Sequence, residues 1–287
     1  LLTTPYWSDE QSIAEAEKIT VADVKAFVPQ LLASLRIDAM FHGNGDENDA
    51  RTLLALVTRY LHPSATAVVP RFSGVVKMPA RTRVVDELAI AHDDSAIIVY
   101  QQGVDNSLRS RALVNLLATL MEPSFFDTLR TQQQLGYVVS AGTLPILYVN
   151  GLTFTIESPV ADPLVLEQRI NAFLASYGSV LAAMTDEQFN GIKSGLLNEL
   201  TQLPTQMNDL SGRYWGDILL EETTIDSQLK MAGAVAQLSR QDAIDYYRDV
   251  VMAPGAARVV ARSTGRNHLA NFLARRAEAA GIILLDG

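Results

Sequence analysis

The chain has 287 residues, 48% of them hydrophobic and 19% charged, with a net charge of −9. The acidic balance excludes nucleic acid as the main partner, because phosphate binding needs a surplus of Lys and Arg on some face. No stretch approaches the ~18 uninterrupted apolar residues of a membrane helix, so no membrane partner is expected. Zero cysteines exclude disulfides, thiolate metal sites and a cysteine nucleophile. The opening LLTTPYWSDE has neither an initiator Met nor a basic region, and reads as the start of a mature or excised piece.

In chain order, residues 20–35 form the first strong helical pattern, with Thr20 as N-cap and Asp23 three residues on. RIDAMFHGN (36–44) looks like a strand that ends in a glycine-rich turn. His42 heads HGNGDEND, a turn into a helix whose Asp46 and Asp49 suit the positive end of the dipole. His42 with those two acids is also the one arrangement here that resembles a metal set, and the turn with its N-cap is the better account. Residues 64–84 carry prolines and no helical period, and suit a linker. SAIIVYQQG (95–103) is a strand, after the tight HDDS turn that holds His92.

From Leu108 to Met121 the apolar residues recur at helical spacing until Pro123, which is expected to end or kink the helix. A short helix from 123 to about 132 follows. YVVSAGTL and GLTFTIES are strands; in the second, Leu152, Phe154 and Ile156 alternate with polar residues. Helical patterns then occupy 162–183, 185–201, 206–221 and 225–237, with Thr185 and Gln188 spaced for a capping box. SRQDAIDYYRDVV followed by the strand AARVVARSTG repeats the arrangement at 20–44. Ser239, Asp242 and Tyr246 match Thr20, Asp23 and Phe27 at a constant offset of 219.

The fold class is therefore α+β, an antiparallel sheet with helices packed on one face. The expected organisation is the end of one α+β domain (1–63), a linker (64–84), a complete domain (85–265) and a C-terminal tail (266–287) that contains His268. The four histidines lack partners at ligand spacing. No H-E-x-x-H, H-x-x-E-H, G-x-S-x-G or phosphate-cradling glycine loop is present. No self-contained catalytic apparatus is legible.

One polar bend stands apart. LRTQQQLGY (129–137) places Arg130 near a helix end and Tyr137 at a strand start, around three glutamines and Gly136. Seven positions in an unbroken helix put two residues on one face about 10 Å apart. In an unbroken strand an odd spacing puts them on opposite faces. A bend near Gly136 lets the two heads converge. Arg brings five donors and tyrosine one phenolic donor, a set that suits a carbonyl oxygen becoming an oxyanion. A surface Arg and a cross-strand Tyr with packing duties alone fit the composition as well.

LRTQQQLGYVV, with HGN (42–44), ESPVADPLVLEQRINAFL (157–174) and RYWGDI (213–218), resembles the C-terminal half of pitrilysin- and insulysin-like zinc metallopeptidases, the insulinase family. The likeness runs from about residue 20 to about 265. It implies homologous α+β domains arranged as half of an enclosed chamber, which accounts for the repeat. It implies that Arg130 hydrogen-bonds substrate backbone and that Tyr137 donates to the scissile carbonyl as it turns tetrahedral. It also implies a peptide substrate and a Zn2+ held by the N-terminal catalytic half, not by this segment, which supplies no metal ligand and is inactive alone. The family often carries Glu where Gln133 stands, which leaves a charge role there open. Tyr214 and Trp215 read as helix-packing aromatics. Bacterial relatives imply a periplasmic location, with a cytoplasmic one compatible with the residues. An inactive peptide-binding or structural partner subunit of the same family is the alternative. Apolar surface that the missing half would cover leads us to expect self-association of the fragment.

Overall fold

The computed structural model describes residues 2–33, 35–61, 74–220, 222 and 224–279. His62 and residues 64–73 of the expected linker lie outside the described residues. In chain order the elements are β1 (Thr3–Thr4), α1 (Asp9–Ala16), α2 (Val21–Leu32), α3 (Glu47–Leu61), β2 (Gly74–Val75), β3 (Arg83–Ala89), β4 (Ser95–Gln102) and α4 (Leu108–Phe126). A π-helical segment, Asp127–Gln132, continues α4. Then come β5 (Val138–Ile146), β6 (Val149–Ser158), α5 (Pro163–Ala183), α6 (Asp186–Thr201), α7 (Met207–Leu219), α8 (Ser227–Ala236) and α9 (Arg240–Tyr246). A second π segment, Tyr247–Val251, leads to β7 (Arg258–Thr264), a short 3-10 turn and α10 (Leu269–Ala279). Among the described residues no helix is long and apolar enough to cross a membrane.

The chain divides into two compact units. One combines Leu1–Val76 with Leu203–Ser227, and the other combines Lys77–Gln202 with Gln228–Gly287. In the first, the helices start where the sequence says they should. The Thr20 amide donates to Asp23 at 2.8 Å while the Asp23 amide donates back to the Thr20 hydroxyl at 3.3 Å. Asp46 and Asp49 make the same reciprocal closure ahead of α3, with bonds of 3.0 Å in each direction. These caps satisfy orphan amides and leave the fate of the apolar face undecided. None of α1, α2 or α3 contains a buried residue, and Phe27 and Leu31 are more than half exposed. The expected strand at 36–44 is not formed. A strand is stabilised by its ladder, and the sole ladder among the described residues of this unit joins the two-residue strands β1 and β2. The HGN and RYWGDI motifs do meet: the His42 Nδ1 lies 2.7 Å from the Ser211 hydroxyl, and the His42 ring meets Tyr214 edge-on at 5.4 Å.

The second unit is a five-stranded sheet in the order β3-β7-β4-β6-β5. All pairings are antiparallel except that of β3 with β7. β3 and β5 are therefore the edges. Ile97 and Val99 of β4, Leu152, Phe154 and Ile156 of β6, and Val139 and Ala141 of β5 point into one core. Leu116, Leu117, Leu120 and Met121 of α4 and Ile170, Phe173 and Tyr177 of α5 fill it from the helical side. Phe125 joins the layers, 5.5 Å from Phe154 and edge-on to Phe173 at 5.1 Å. Two buried phenols have their donors occupied: Tyr177 bonds the Leu120 carbonyl at 2.6 Å and Tyr247 the Leu174 carbonyl at 2.5 Å. Residues 266–279, read from sequence as the start of a tail, carry α10, with His268 and Phe272 buried.

A charged network fastens α5 to the sheet. Glu167 accepts from Arg83 at 2.6 Å and from Arg262, which also reaches Glu87. Arg276 adds a 3.0 Å contact to Glu87. Burial pushes the Glu167 carboxyl up, but hydrogen bonds from Arg83 and Arg262 outweigh it and hold the group below the ordinary glutamate range. A carboxylate whose folded pKa is depressed contributes stability that is complete above its unfolded pKa and is lost as pH falls through the folded value. Glu167→Ala removes one of the two carboxylates that hold the buried Arg262 guanidinium, leaving Glu87, and is expected to lower the unfolding free energy in urea at neutral pH by about 1–3 kcal/mol. The deficit relative to the parent shrinks in acid. A loss below about 1 kcal/mol, or one that does not change with pH, contradicts the network's role.

Candidate functional site

The bend at 129–137 is built from a helix that does not stop at Pro123. α4 runs through that proline to Phe126 and passes directly into the π segment, so the expected helix break and separate short helix are absent. Proline removes one amide donor, and the wider π turn that follows closes on different carbonyls: the Gln133 amide reaches back to the Thr128 oxygen at 3.1 Å. Single π turns of this kind gather at functional sites.

The end is sealed by two more bonds, from the Gln134 amide to the Arg130 oxygen at 3.1 Å and from the Leu135 amide to the Leu129 oxygen at 3.0 Å. Gln134 takes the left-handed conformation, with φ of 53°. That position commonly holds glycine at helix C-termini, and placing a side chain there costs about 1–2 kcal/mol. Leu129 and Leu135 are buried on either side and secure the closure apolarly. Gly136 has a different duty from the one expected. It supplies no unusual φ; it lies so close to β6 that an added Cβ would sit 1.8 Å from the Glu157 carbonyl oxygen. The glutamines thus have distinct tasks: Gln132 donates to Asp127 at 2.7 Å, Gln133 caps and Gln134 turns.

Both candidate heads reach solvent. The Arg130 guanidinium lies over the Phe126 ring, 4.8 Å from its centroid, at a helix C-terminus where a cation is favoured. Tyr137 is 61% exposed, and its hydroxyl donates to Glu157 Oε1 at 3.2 Å. That hydrogen bond, the negative charge of Glu157 and the more distant Asp94 push the phenol pKa up, so Tyr137 is a protonated donor at neutral pH. No hydrogen bond joins the two heads to each other; each has its own partner. A cleft of about 420 Å³ runs beside α4, β5 and α6, lined by Asn115, Thr119, Glu122, Ala141, Thr143 and Glu199 among others. Neither Arg130 nor Tyr137 lines it.

Glu157 also brings together residues that spacing alone does not connect. β4 pairs Ala96 with Glu157, which places the preceding HDDS turn over that carboxylate. Ligand atoms of His92, Asp94 and Glu157 all lie within 4.8 Å of one another. In the sequence His92 had no partner; only strand register supplies one.

Residues 116–215 match the family model described as the PQQ synthase PqqF-like C-terminal lobe domain 4. The chain is 27% identical over 257 residues to human insulin-degrading enzyme, covering 88% of this chain and 25% of that one. It is 28% identical over 259 residues to the A-factor-processing enzyme of Saccharomyces cerevisiae, with the same coverage. The crystal structure of pitrilysin superposes with a TM-score of 0.83 at 25% identity, over 92% of this chain and 28% of that one. Over most of its length the chain is similar to pitrilysin-like (insulinase) peptidases. It spans about a quarter of the length of these relatives. The fold is that of the family's α+β domain, and the bend with Arg130 and Tyr137 lies within the matched region.

The contact at Gly136 is directly testable. Gly136→Ala forces the bend off β6 and is expected to cost about 1–3 kcal/mol of stability. Gly142→Ala, whose nearest neighbour is a Thr153 hydroxyl at 3.8 Å, is expected to be tolerated. Equal melting temperatures for the two variants contradict the steric account.

Proposed function

We propose that this chain is the C-terminal, non-metal-binding part of a zinc metalloendopeptidase that degrades peptides in an enclosed chamber. In this reading Arg130 holds substrate backbone near the scissile bond, and Tyr137 donates to the carbonyl oxygen as it gains negative charge. The observation that carries it is the Tyr137 phenol itself: exposed at a rigid bend, protonated, and held by a single 3.2 Å bond. Such a donor exchanges Glu157 for a substrate oxygen without breaking the fold. Arg130, stacked on Phe126, keeps its fork of donors open. Inside a chamber closed to water, both donors act through a lower dielectric and gain strength.

The catalytic Zn2+ is assigned to another segment of the protein, because this chain has no H-x-x-E-H and the His92 cluster does not reproduce that motif. Peptide is the proposed substrate class, in keeping with the names of the insulin-degrading and A-factor-processing relatives.

The exposed apolar face of α2, which includes Val24, Phe27 and Leu31, supports an interface with the remaining part of the enzyme. The isolated chain is accordingly expected to self-associate. Sedimentation velocity that shows a monomer at every concentration counts against that interface.

In the full-length enzyme Tyr137→Phe is expected to lower kcat by about 10²–10³ with a smaller change in KM, because the lost bond is made mainly in the transition state. Unchanged turnover of a peptide substrate contradicts the role.

A further inference from the structure

The turn that joins β3 to β4 is unusually well fixed for an exposed loop. The Ile90 amide bonds the Thr264 carbonyl at 3.0 Å, and the Arg266 amide bonds the His92 carbonyl at 2.8 Å. The Ser95 hydroxyl lies 2.9 Å from buried His268 Nδ1 and accepts from the Gly265 amide at 3.0 Å. Gly265 itself has no room for a side chain, since a Cβ would fall 2.3 Å from the Asp94 carbonyl oxygen. The backbone of residues 90–95 is thereby pinned to β7 and the turn after it. Within the turn the Asp94 amide donates to His92 Nδ1 at 3.1 Å.

The charges in this turn are treated unequally. Asp93 is neutralised by Arg266, whose Nε lies 3.1 Å away. Asp94 and Glu157, both half-buried, have no ion-pair partner among the described residues, although the two carboxylates converge on one point beside an imidazole. Two uncompensated carboxylates and a histidine on a rigid backbone form a ligand set with an unmet need for a cation.

We propose that His92, Asp94 and Glu157 bind a divalent first-row transition cation, Zn2+ foremost. One imidazole nitrogen and two carboxylate oxygens, with a fourth position open, is a ligand set that suits Zn2+. Zinc bonds to nitrogen and oxygen are about 2.0–2.2 Å, so donors on one ion lie no more than about 4.4 Å apart. The 4.8 Å limit on the donor separations is closed by small side-chain rotations. This inference rests on the turn and on β6 alone, independently of the peptidase reading.

The test is isothermal titration of the metal-free 287-residue chain with ZnCl2, together with Co2+ and its visible ligand-field absorption. A saturable site is expected. Removing a direct ligand, in His92→Ala or Glu157→Gln, should weaken it by more than the ~10–100-fold typical of outer-shell changes. His42→Ala should leave it unchanged. His92 is exposed and the Gln at 157 retains an acceptor for Tyr137, so both variants are expected to fold, as circular dichroism will show. Failure to bind, or binding that survives both substitutions, overturns the site.

Discussion

The approach of Gly136 to the Glu157 backbone is the constraint on which the site depends. It presses the bend after a long helix directly against β6, with no atom to spare. Buried Leu129 and Leu135 set the depth of that contact, and the left-handed Gln134 sets its direction. Once the backbone is fixed there, the Tyr137 side chain has one short reach, and Glu157 is at the end of it. Arg130 is placed by the same event from the other side, since the π turn that precedes the bend orients it over Phe126.

Much of this architecture was legible because it is local. A cap three residues from its partner, as at Thr20, Thr185 and Ser239, is decided by neighbours in the chain, and each formed as read. The alternation of Leu152, Phe154 and Ile156 likewise marked a strand with one buried face. Local reading failed where the deciding partner is distant or missing. Residues 36–44 have strand-like composition and no ladder to join. Pro123 breaks helices on average, yet here the core buries Met121 and Phe125 on both sides of it and carries the helix through. Glu167 falls within a helical pattern, and its partners Arg83 and Arg262 come from strands distant in the chain.

The candidate site divides along the same line. Arg130 and Tyr137 stand out in the sequence as an odd pair around a polar bend near Gly136; the residue that turns the chain is Gln134, and the duty of the glycine is steric. Glu157, the group that sets the state of the phenol, lies twenty residues from Tyr137 and was invisible as a partner. His92 and Asp94 come to the same carboxylate only through the pairing of β4 with β6. Chemistry assembled by strand register is the kind that a single sequence hides most completely.

The central claim is that Tyr137 leaves Glu157 to donate to an oxygen that carries developing charge. The most direct measurement is a crystal structure of the full-length enzyme with a phosphinic peptide, whose tetrahedral oxygens imitate that state. The account predicts the Tyr137 hydroxyl about 2.7–3.1 Å from a phosphinate oxygen, with the Arg130 guanidinium on the peptide backbone beside it. A phosphinate fully bound while Tyr137 remains on Glu157 and Arg130 points to solvent would contradict it.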